Sequence, residues 1–385
     1  MKIAQISPLI ERVPPKKYGG TERVVSALTE ELVRRGHEVT LFASGDSVTS
    51  ARLASVFPSG LREAQQRSLG NVATWTLLNI GLAYSRFKEF DVIHDHTAFF
   101  GLSTGNICPT PVIMTMHGLF DDVRRNMFMA LRRPYVVTIS RAQAALAPEL
   151  NHLATVYNGL PMEHYPFAAD YGEYLLFVGR ISKDKGVHYA IDVAEALDLP
   201  LIIAAKLDFV DMAYFREHIK PRLSKRVRWI GEVDESERNR LMSRALCFLH
   251  PTNWPEPFGL ALIEAGACGC PVVAFNRGAI PEVIEHGRTG YVVASVPEMI
   301  TAVRNIDRIS RRVCRARVLE RFTAVRMADG YELAYAEALR RAAGQSMAPP
   351  HRGAMYGRFG ESRSVVRDRK QWARKARQDG PNSIS

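Results

Sequence analysis

Apolar positions along the chain fall into two alternating kinds of run. Short and nearly continuous stretches (Ile3 to Ile10, His37 to Ala43, Phe90 to His96, Pro111 to Gly118, Tyr135 to Ser140, Ala154 to Leu160) read as strands of a parallel sheet. Between them lie segments with helical spacing. Thr21 to Arg35 is the clearest, with Val24, Val25, Leu28, Leu32 and Val33 on one face and Gly36 as its stop. This alternation predicts a doubly wound parallel sheet. After a short linker, around His164 to Gly172, it begins again. Leu175 to Ile181, Pro200 to Lys206, Val227 to Val233 and Leu246 to His250 read as strands, and a helix ends at Leu197. Phe322 to Arg341, with Met327, Tyr331, Tyr335 and Leu339, reads as a closing helical segment. The pattern divides the chain into residues 1–168 and 169–320 as two α/β units, 321–345 as the helical segment, and 346–385 as a tail.

A length of 385 residues suffices for two full cores, and 46% hydrophobic with 24% charged residues is ordinary for a soluble globular protein. There is no run of about 18 apolar residues, so no membrane-spanning helix is expected. Met1 to Pro15 reads as a first strand rather than a signal peptide. Five scattered cysteines fit a reduced, cytoplasmic setting; Cys268 and Cys270 have no second cluster with which to form a zinc site. The net charge of +11 is uneven: Ser346 to Ser385 carries nine Lys/Arg against three Asp/Glu, hence +6, leaving +5 for the first 345 residues. This tail, with Pro349, Pro350 and no sustained apolar period, reads as solvated and disordered. It could touch an anionic membrane weakly, peripheral to the inner membrane face, and no specific nucleic-acid partner is expected.

Candidate chemistry centres on His250 to Val293. Glu256 and Glu264 are separated by seven residues. Pro257 suits a first helical turn, and Cys268-Gly269-Cys270-Pro271 suits a stop. The expected helix therefore begins at or near Pro257 and places Glu264 about two turns in, roughly 10 Å along the axis from Glu256. Amides at such a helix start attract phosphate, and carboxylates accept from sugar hydroxyls. A second signal is Gly179-Arg180 followed by Lys185-Gly186, where two cations between a strand end and a helix start could grip a diphosphate. Gly19-Gly20-Thr21-Glu22 has neither the glycine spacing of a dinucleotide fingerprint nor the Lys-Ser/Thr of a P-loop; locally, a tight turn and a phosphate approach stand as equal readings. In His94-Asp95-His96 alternate residues face opposite ways, so at most two point together, and one or two polar groups at a cleft are expected rather than a metal site. His117-Gly118 ends another strand, at the edge where ligands of open α/β sheets gather.

The ordered series Glu-Pro-Phe-Gly-Leu, Glu-Ala, Ala-Cys-Gly, Pro-Val-Val-Ala, Pro-Glu-Val-Ile and Gly-x-Thr-Gly-Tyr resembles the donor-site block of glycosyltransferase family 4. Those are retaining enzymes of the GT-B fold, in which two Rossmann-like doubly wound domains face each other across a cleft. The resemblance covers most of residues 1–340 and is strongest over 174–293. It implies a retaining glycosyltransferase (a hexosyltransferase) that moves a sugar from a nucleoside-diphosphate sugar to the hydroxyl of a saccharide, lipid-linked or small-molecule acceptor, in carbohydrate biosynthesis. Glu256 would hold hydroxyls of the donor sugar and Glu264 the ribose; Gly259 and Leu260, following Phe258, would offer amides to the diphosphate. Arg180 and Lys185 would stabilise the leaving nucleotide in place of a metal, so no metal or cofactor is expected. His117 would face the reacting sugar, Gly19 and Gly20 would touch the diphosphate, and the backbone near Glu232-Val233 would read the base. Ser140-Arg141 and Asn158-Gly159-Leu160 would flank the cleft, and the closing segment would cross back onto the first domain. The basic residues of Arg62 to Lys88, with Arg124, Arg125, Arg132 and Arg133, are acceptor-side candidates. Three other readings stay open: a sugar-nucleotide epimerase of the same fold, a phosphorylase requiring a Lys-linked pyridoxal group, and a non-enzymatic adaptor acting through the basic tail.

Overall fold

The computed structural model describes residues 1–62 and 71–344. The basic tail from Ser346 onward, and the part of the Arg62 to Lys88 region at 63–70, lie outside the described residues. Met1–Ala342 pack as one unit containing two parallel sheets. The first sheet consists of β1 (Lys2–Ile6), β2 (Glu38–Phe42), β3 (Arg52–Ala54), β4 (Val92–Asp95), β5 (Val112–Met116), β6 (Tyr135–Thr138) and β7 (His152–Thr155). The second consists of β8 (Leu175–Arg180), β9 (Leu201–Lys206), β10 (Val227–Gly231), β11 (Cys247–His250), β12 (Val272–Phe275) and β13 (Gly290–Val293).

Strand order is β3-β2-β1-β4-β5-β6-β7 in one sheet and β10-β9-β8-β11-β12-β13 in the other. All pairs are parallel, for example Ile3 opposite Val39 on one side and Val92 on the other. Each sheet is thus doubly wound, with its order reversing beside β1 in the first and beside β8 in the second. Ligands of such sheets bind outside the strand ends at that reversal. The reversal points lie beside Gly19-Gly20 (after β1), Lys185 (after β8) and Glu256 (after β11).

The continuous apolar runs are buried on both faces, as parallel strands covered by helices must be. Ile3, Val92, Ile113 and Val137 are all 5% exposed or less, as are Leu175, Phe177, Ile203 and Val273. The helix Gly20–Arg34 buries Val24, Val25, Leu28 and Leu32 of the predicted stripe, together with Ala27, while Val33 is half-buried at its edge. The helix Ala324–Gly344 packs on the first sheet, not the second: Met327, Ala328, Tyr331, Tyr335 and Ala338 cluster with Ile3, Val92, Ile113 and Val137. The chain reaches it through Leu160, whose N–H donates to Phe322 O (2.9 Å) and whose carbonyl accepts from Ala324 N–H (2.8 Å). No helix among the described residues is long and apolar enough to cross a membrane.

Two expectations are corrected. The helix after Glu256 spans Leu260–Ala267 and starts three residues beyond Pro257, because Gly259 takes a left-handed conformation (φ 86°) that breaks the right-handed run. Glu264 is consequently its fifth residue, just over one turn in. The last strand of the first sheet is His152–Thr155, so Tyr157 to Leu160, expected in a strand, instead form the link toward the second sheet.

Candidate active site

A cavity of about 610 Å³ opens between the two sheets. All twelve residues expected to do the catalysis or hold the donor line it: Gly19, Gly20 and His117 from the first sheet's side, and Arg180, Lys185, Glu232, Val233, Glu256, Phe258, Gly259, Leu260 and Glu264 from the second's. Of the residues expected to flank the cleft Asn158 also lines it, whereas Gly159, Leu160, Ser140, Arg141 and the basic residues 124, 125, 132 and 133 do not.

Glu256 is the centre of the second-sheet wall. Its side chain is 9% exposed; Oε2 accepts from Lys185 Nζ at 2.8 Å and from Trp254 Nε1 at 2.8 Å, with His250 Nε2 at 3.5 Å. The Lys185 ammonium also lies 4.5 Å from the Trp254 ring centroid. Burial by itself would raise the Glu256 pKa, but Lys185 and then His250 outweigh it and hold the carboxyl well below the usual range. Burial likewise lowers His250. Glu256 is therefore a fixed anion near neutrality, suited to accept hydroxyl hydrogens and unsuited to donate a proton.

Lys185 is held because the turn before the helix Val187–Leu197 is tight. Asn253 N–H donates to Asp184 O (2.8 Å) and Thr252 Oγ1 to the same carbonyl (3.2 Å), tying the loops after β8 and β11 together. Arg180, one strand end away, lies 3.5 Å from both Asp184 and Asp211 and is one-third exposed. Both expected diphosphate cations thus have carboxylate partners that an incoming anion would share. Beyond Gly259 the helix Leu260–Ala267 begins, and its first residues, Leu260 and Ala261, whose N–H groups lie ahead of the helical ladder, line the cavity.

Glu264 sits deeper. Its Oε1 is 2.9 Å from Arg238, out of hydrogen-bond alignment, and 3.6 Å from Arg23. Arg23, in the first turn of the helix Gly20–Arg34, also pairs with Glu235 and donates to Lys17 O at 2.8 Å. Glu232, expected to act through its backbone, also uses its side chain: Oε1 accepts from Tyr18 N–H at 3.1 Å and faces Arg62 at 3.4 Å. Lys206 Nζ lies 4.4 Å from the Tyr18 ring centroid. The first-sheet loop Lys17–Gly20 is therefore fastened across the cleft by the Tyr18 amide and ring, and its neighbours Arg23 and Arg62 by ion pairs. The two glycines differ. A Cβ on Gly19 would lie 2.8 Å from Pro15 Cβ, whereas one on Gly20 would meet nothing within 4 Å. Gly19 answers to local packing, and Gly20 borders open cavity.

On the opposite wall His117 Nε2 lies 2.9 Å from His96 Nδ1. Burial lowers the His117 pKa to about 4, so the ring is neutral at pH 7. The alternation expected within His94-Asp95-His96 is present. His94 and His96 share one network, while Asp95 faces away, accepting from Tyr84 (3.0 Å) and Thr97 (2.6 Å). Among the described residues, no three His, Cys, Asp or Glu side chains are grouped to hold a metal.

Arg62, an acceptor-side candidate, also lines the cavity, while sequence reasoning missed Arg23, Arg238, His250 and Trp254. His250 and Trp254 were within reach, since they flank Glu256 in the same block. Arg23 and Arg238 lie on helices whose polar faces look like any solvated surface until the two sheets are brought together.

Comparison with known proteins agrees in family and fold. A family model described as Glycosyltransferase Family 4 matches residues 18–163, and one described as Glycosyl transferases group 1 matches residues 167–313. The chain is 26% identical over 347 residues to a glycogen synthase of Mycobacterium tuberculosis, covering 76% of this chain and 83% of the relative. It is 27% identical over 338 residues to a phosphatidyl-myo-inositol mannosyltransferase of the same species, covering 80% and 86%. Among solved structures it superimposes on AviGT4, a glycosyltransferase involved in avilamycin A biosynthesis, with a TM-score of 0.67 and 25% identity over 88% of this chain and 98% of that one. Sucrose-phosphate synthase from Thermosynechococcus elongatus shares the fold, with a TM-score of 0.73 at 18% identity over 88% and 99%.

Proposed function

The chain belongs to glycosyltransferase family 4, and we propose that this GT-B glycosyltransferase moves a sugar from a nucleoside-diphosphate sugar to an acceptor hydroxyl, with retained configuration and without a metal ion. The observation that carries the reading is the pairing, within one cavity, of Arg180, Lys185 and the amides after Gly259 with the fixed Glu256 carboxylate. Cations and amides suit a diphosphate; a carboxylate that stays ionised suits the hydroxyls of a sugar. Glu264 is assigned to the ribose and the backbone at Glu232-Val233 to the base.

In the proposed step the bond between the sugar C1 and the diphosphate oxygen breaks. The acceptor oxygen bonds to C1 on the same face, and the acceptor proton passes to the departing diphosphate. Arg180 and Lys185 lower the barrier by stabilising charge as it develops on the leaving group, the task a metal performs elsewhere. Glu256 acts by holding hydroxyls.

Isothermal titration against UDP, GDP and ADP and their sugar conjugates, with EDTA present, tests the donor site. Saturable binding of one nucleotide class, abolished in the variant Arg180→Ala plus Lys185→Ala, is expected. No binding to any of them in folded protein overturns the reading, and turnover of donor without acceptor replaces it with an epimerase. Product anomer analysis by NMR checks retention.

A further inference from the structure

Behind His117 runs a buried chain of side chains that joins the cleft to the helix Ala324–Gly344. His117 Nε2 meets His96 Nδ1 at 2.9 Å, and His96 Nε2 meets Gln5 Oε1 at 2.8 Å. Gln5 Nε2 meets Tyr335 Oη at 3.1 Å, with His94 Nδ1 at 3.4 Å. Tyr335 Oη meets His94 Nδ1 at 2.8 Å, His94 Nε2 meets Thr115 Oγ1 at 2.7 Å, and Thr115 meets Tyr331 Oη at 3.0 Å. The His96 and His117 ring planes are 26° apart with centroids at 5.2 Å, as for two imidazoles meeting edge to edge. Gln5, His94, His96, Thr115, Tyr331 and Tyr335 are all 2% exposed or less.

A neutral imidazole has one donor and one acceptor nitrogen, and an amide oxygen only accepts. Because Gln5 Oε1 faces His96, the proton of His96 is on Nε2, and its Nδ1 is the acceptor. His117 must then donate from Nε2, and its Nδ1 is bare. The remainder of the chain follows in the same sense. Gln5 Nε2 donates to Tyr335, Tyr335 donates to His94 Nδ1, and His94 Nε2–H donates to Thr115. Every group is used, and the polarity is set at Gln5, since turning its amide over would reverse each bond. Burial keeps His94 and His96 neutral as well, pushing both well below the ordinary histidine value.

We propose that Gln5 and His96 are positioning residues that fix His117 as its Nε2-protonated tautomer, leaving Nδ1 to accept a hydrogen from a hydroxyl of the sugar in the cleft. This rests on the proposed function for the identity of the ligand. It gives His117 a definite part: an acceptor for a hydroxyl, neither a cation nor a donor. The closing helix gains a reason to cross back onto the first sheet, because Tyr335 holds Gln5 in the orientation that sets the chain.

The test reads ring nitrogens by NMR in the full-length protein labelled with 15N-histidine at pH 7 without substrate, alongside kinetics. His117 in the unaltered protein should show a protonated Nε2 and an unprotonated Nδ1. In His96→Leu the acceptor is gone; His117 should become a mixture of tautomers, and kcat/KM should fall roughly tenfold to a hundredfold, as for a lost buried hydrogen bond. In His96→Asn an amide oxygen can stand near the former Nδ1, and the single tautomer should return with most of the rate. An Nδ1-protonated His117 in the unaltered protein, or a His96→Leu variant with tautomer and rate unchanged, overturns the proposal. Should His96→Leu fail to fold by circular dichroism, the tautomer in the unaltered protein still decides. An Nε2-protonated His117 in a protein that binds no nucleotide sugar upholds the assignment and refutes the proposed function instead.

Discussion

Replacing Lys185 by Met removes one partner of a buried ion pair and leaves the other in place. Lys185 Nζ is 2.8 Å from Glu256 Oε2, with side chains 18% and 9% exposed. Breaking such a pair from one side costs about 3–5 kcal/mol, because a carboxylate stays buried without its counter-charge. Partial solvent access at Lys185 points to the lower end, and loss of its contact with the Trp254 ring adds about 1 kcal/mol. A total near 3–4 kcal/mol, divided by a urea m-value of about 3 kcal/mol/M, moves the midpoint down by roughly 1 M. The cost should depend on pH with a definite sign. In the unaltered protein Glu256 has a depressed pKa, so its contribution is present above the usual carboxylate range and is lost only as pH falls through the depressed value. In the variant burial prevails and raises the Glu256 pKa, so protonation relieves the penalty as pH falls. The gap between the two proteins, measured by urea unfolding at pH 7.5 and pH 5 with circular dichroism, should therefore narrow at the lower pH. Adding Glu256→Gln should restore at least half of the lost stability, since the uncompensated charge goes with it. A single variant within about 0.5 kcal/mol of the unaltered protein, or a gap that does not change between the two pH values, would falsify the buried-pair reasoning.

Two further outcomes follow from the same geometry. Gly278 has φ 55°, and a Cβ there would press on the Glu256 backbone oxygen and lie 2.5 Å from its nitrogen; Gly278→Ala should cost at least about 2 kcal/mol in thermal or urea unfolding and lower transfer activity through a displaced Glu256. His94, His96 and His117 all bind protons more weakly folded than unfolded, His117 down to about 4. Stability should therefore be full above pH 6.5 and fall as pH drops toward 4, by up to about 1.4 kcal/mol per pH unit for each histidine. Urea midpoints in buffers from pH 7.5 to 4.5 check this, and a flat profile would count against three neutral buried imidazoles.

The sequence by itself determined the strand and helix alternation, the second start near Tyr174, and, with the family resemblance, twelve of the residues that line the cavity. These are local facts. Two-sided burial of a parallel strand forces a continuous apolar run, and a helix end is marked by Gly and Pro, so both leave marks in short windows. The edge strand Arg52–Ala54 left none, being three residues long and half-buried. The start of the helix at Leu260 escaped because Pro257 suits a first turn, while the left-handed Gly259 that delays it is visible only as a dihedral angle. Only the tertiary structure decided what each charge faces. Lys185 meets Glu256 across 71 residues, Arg23 meets Glu235 across 212, and Gln5 meets Tyr335 across 330. No sequence window spans such distances, and an isolated Arg or Glu on a helix reads as solvated surface. Whether a carboxylate is ionised, and which histidine nitrogen carries the proton, depends on burial and on partners that the fold alone brings within 3 Å.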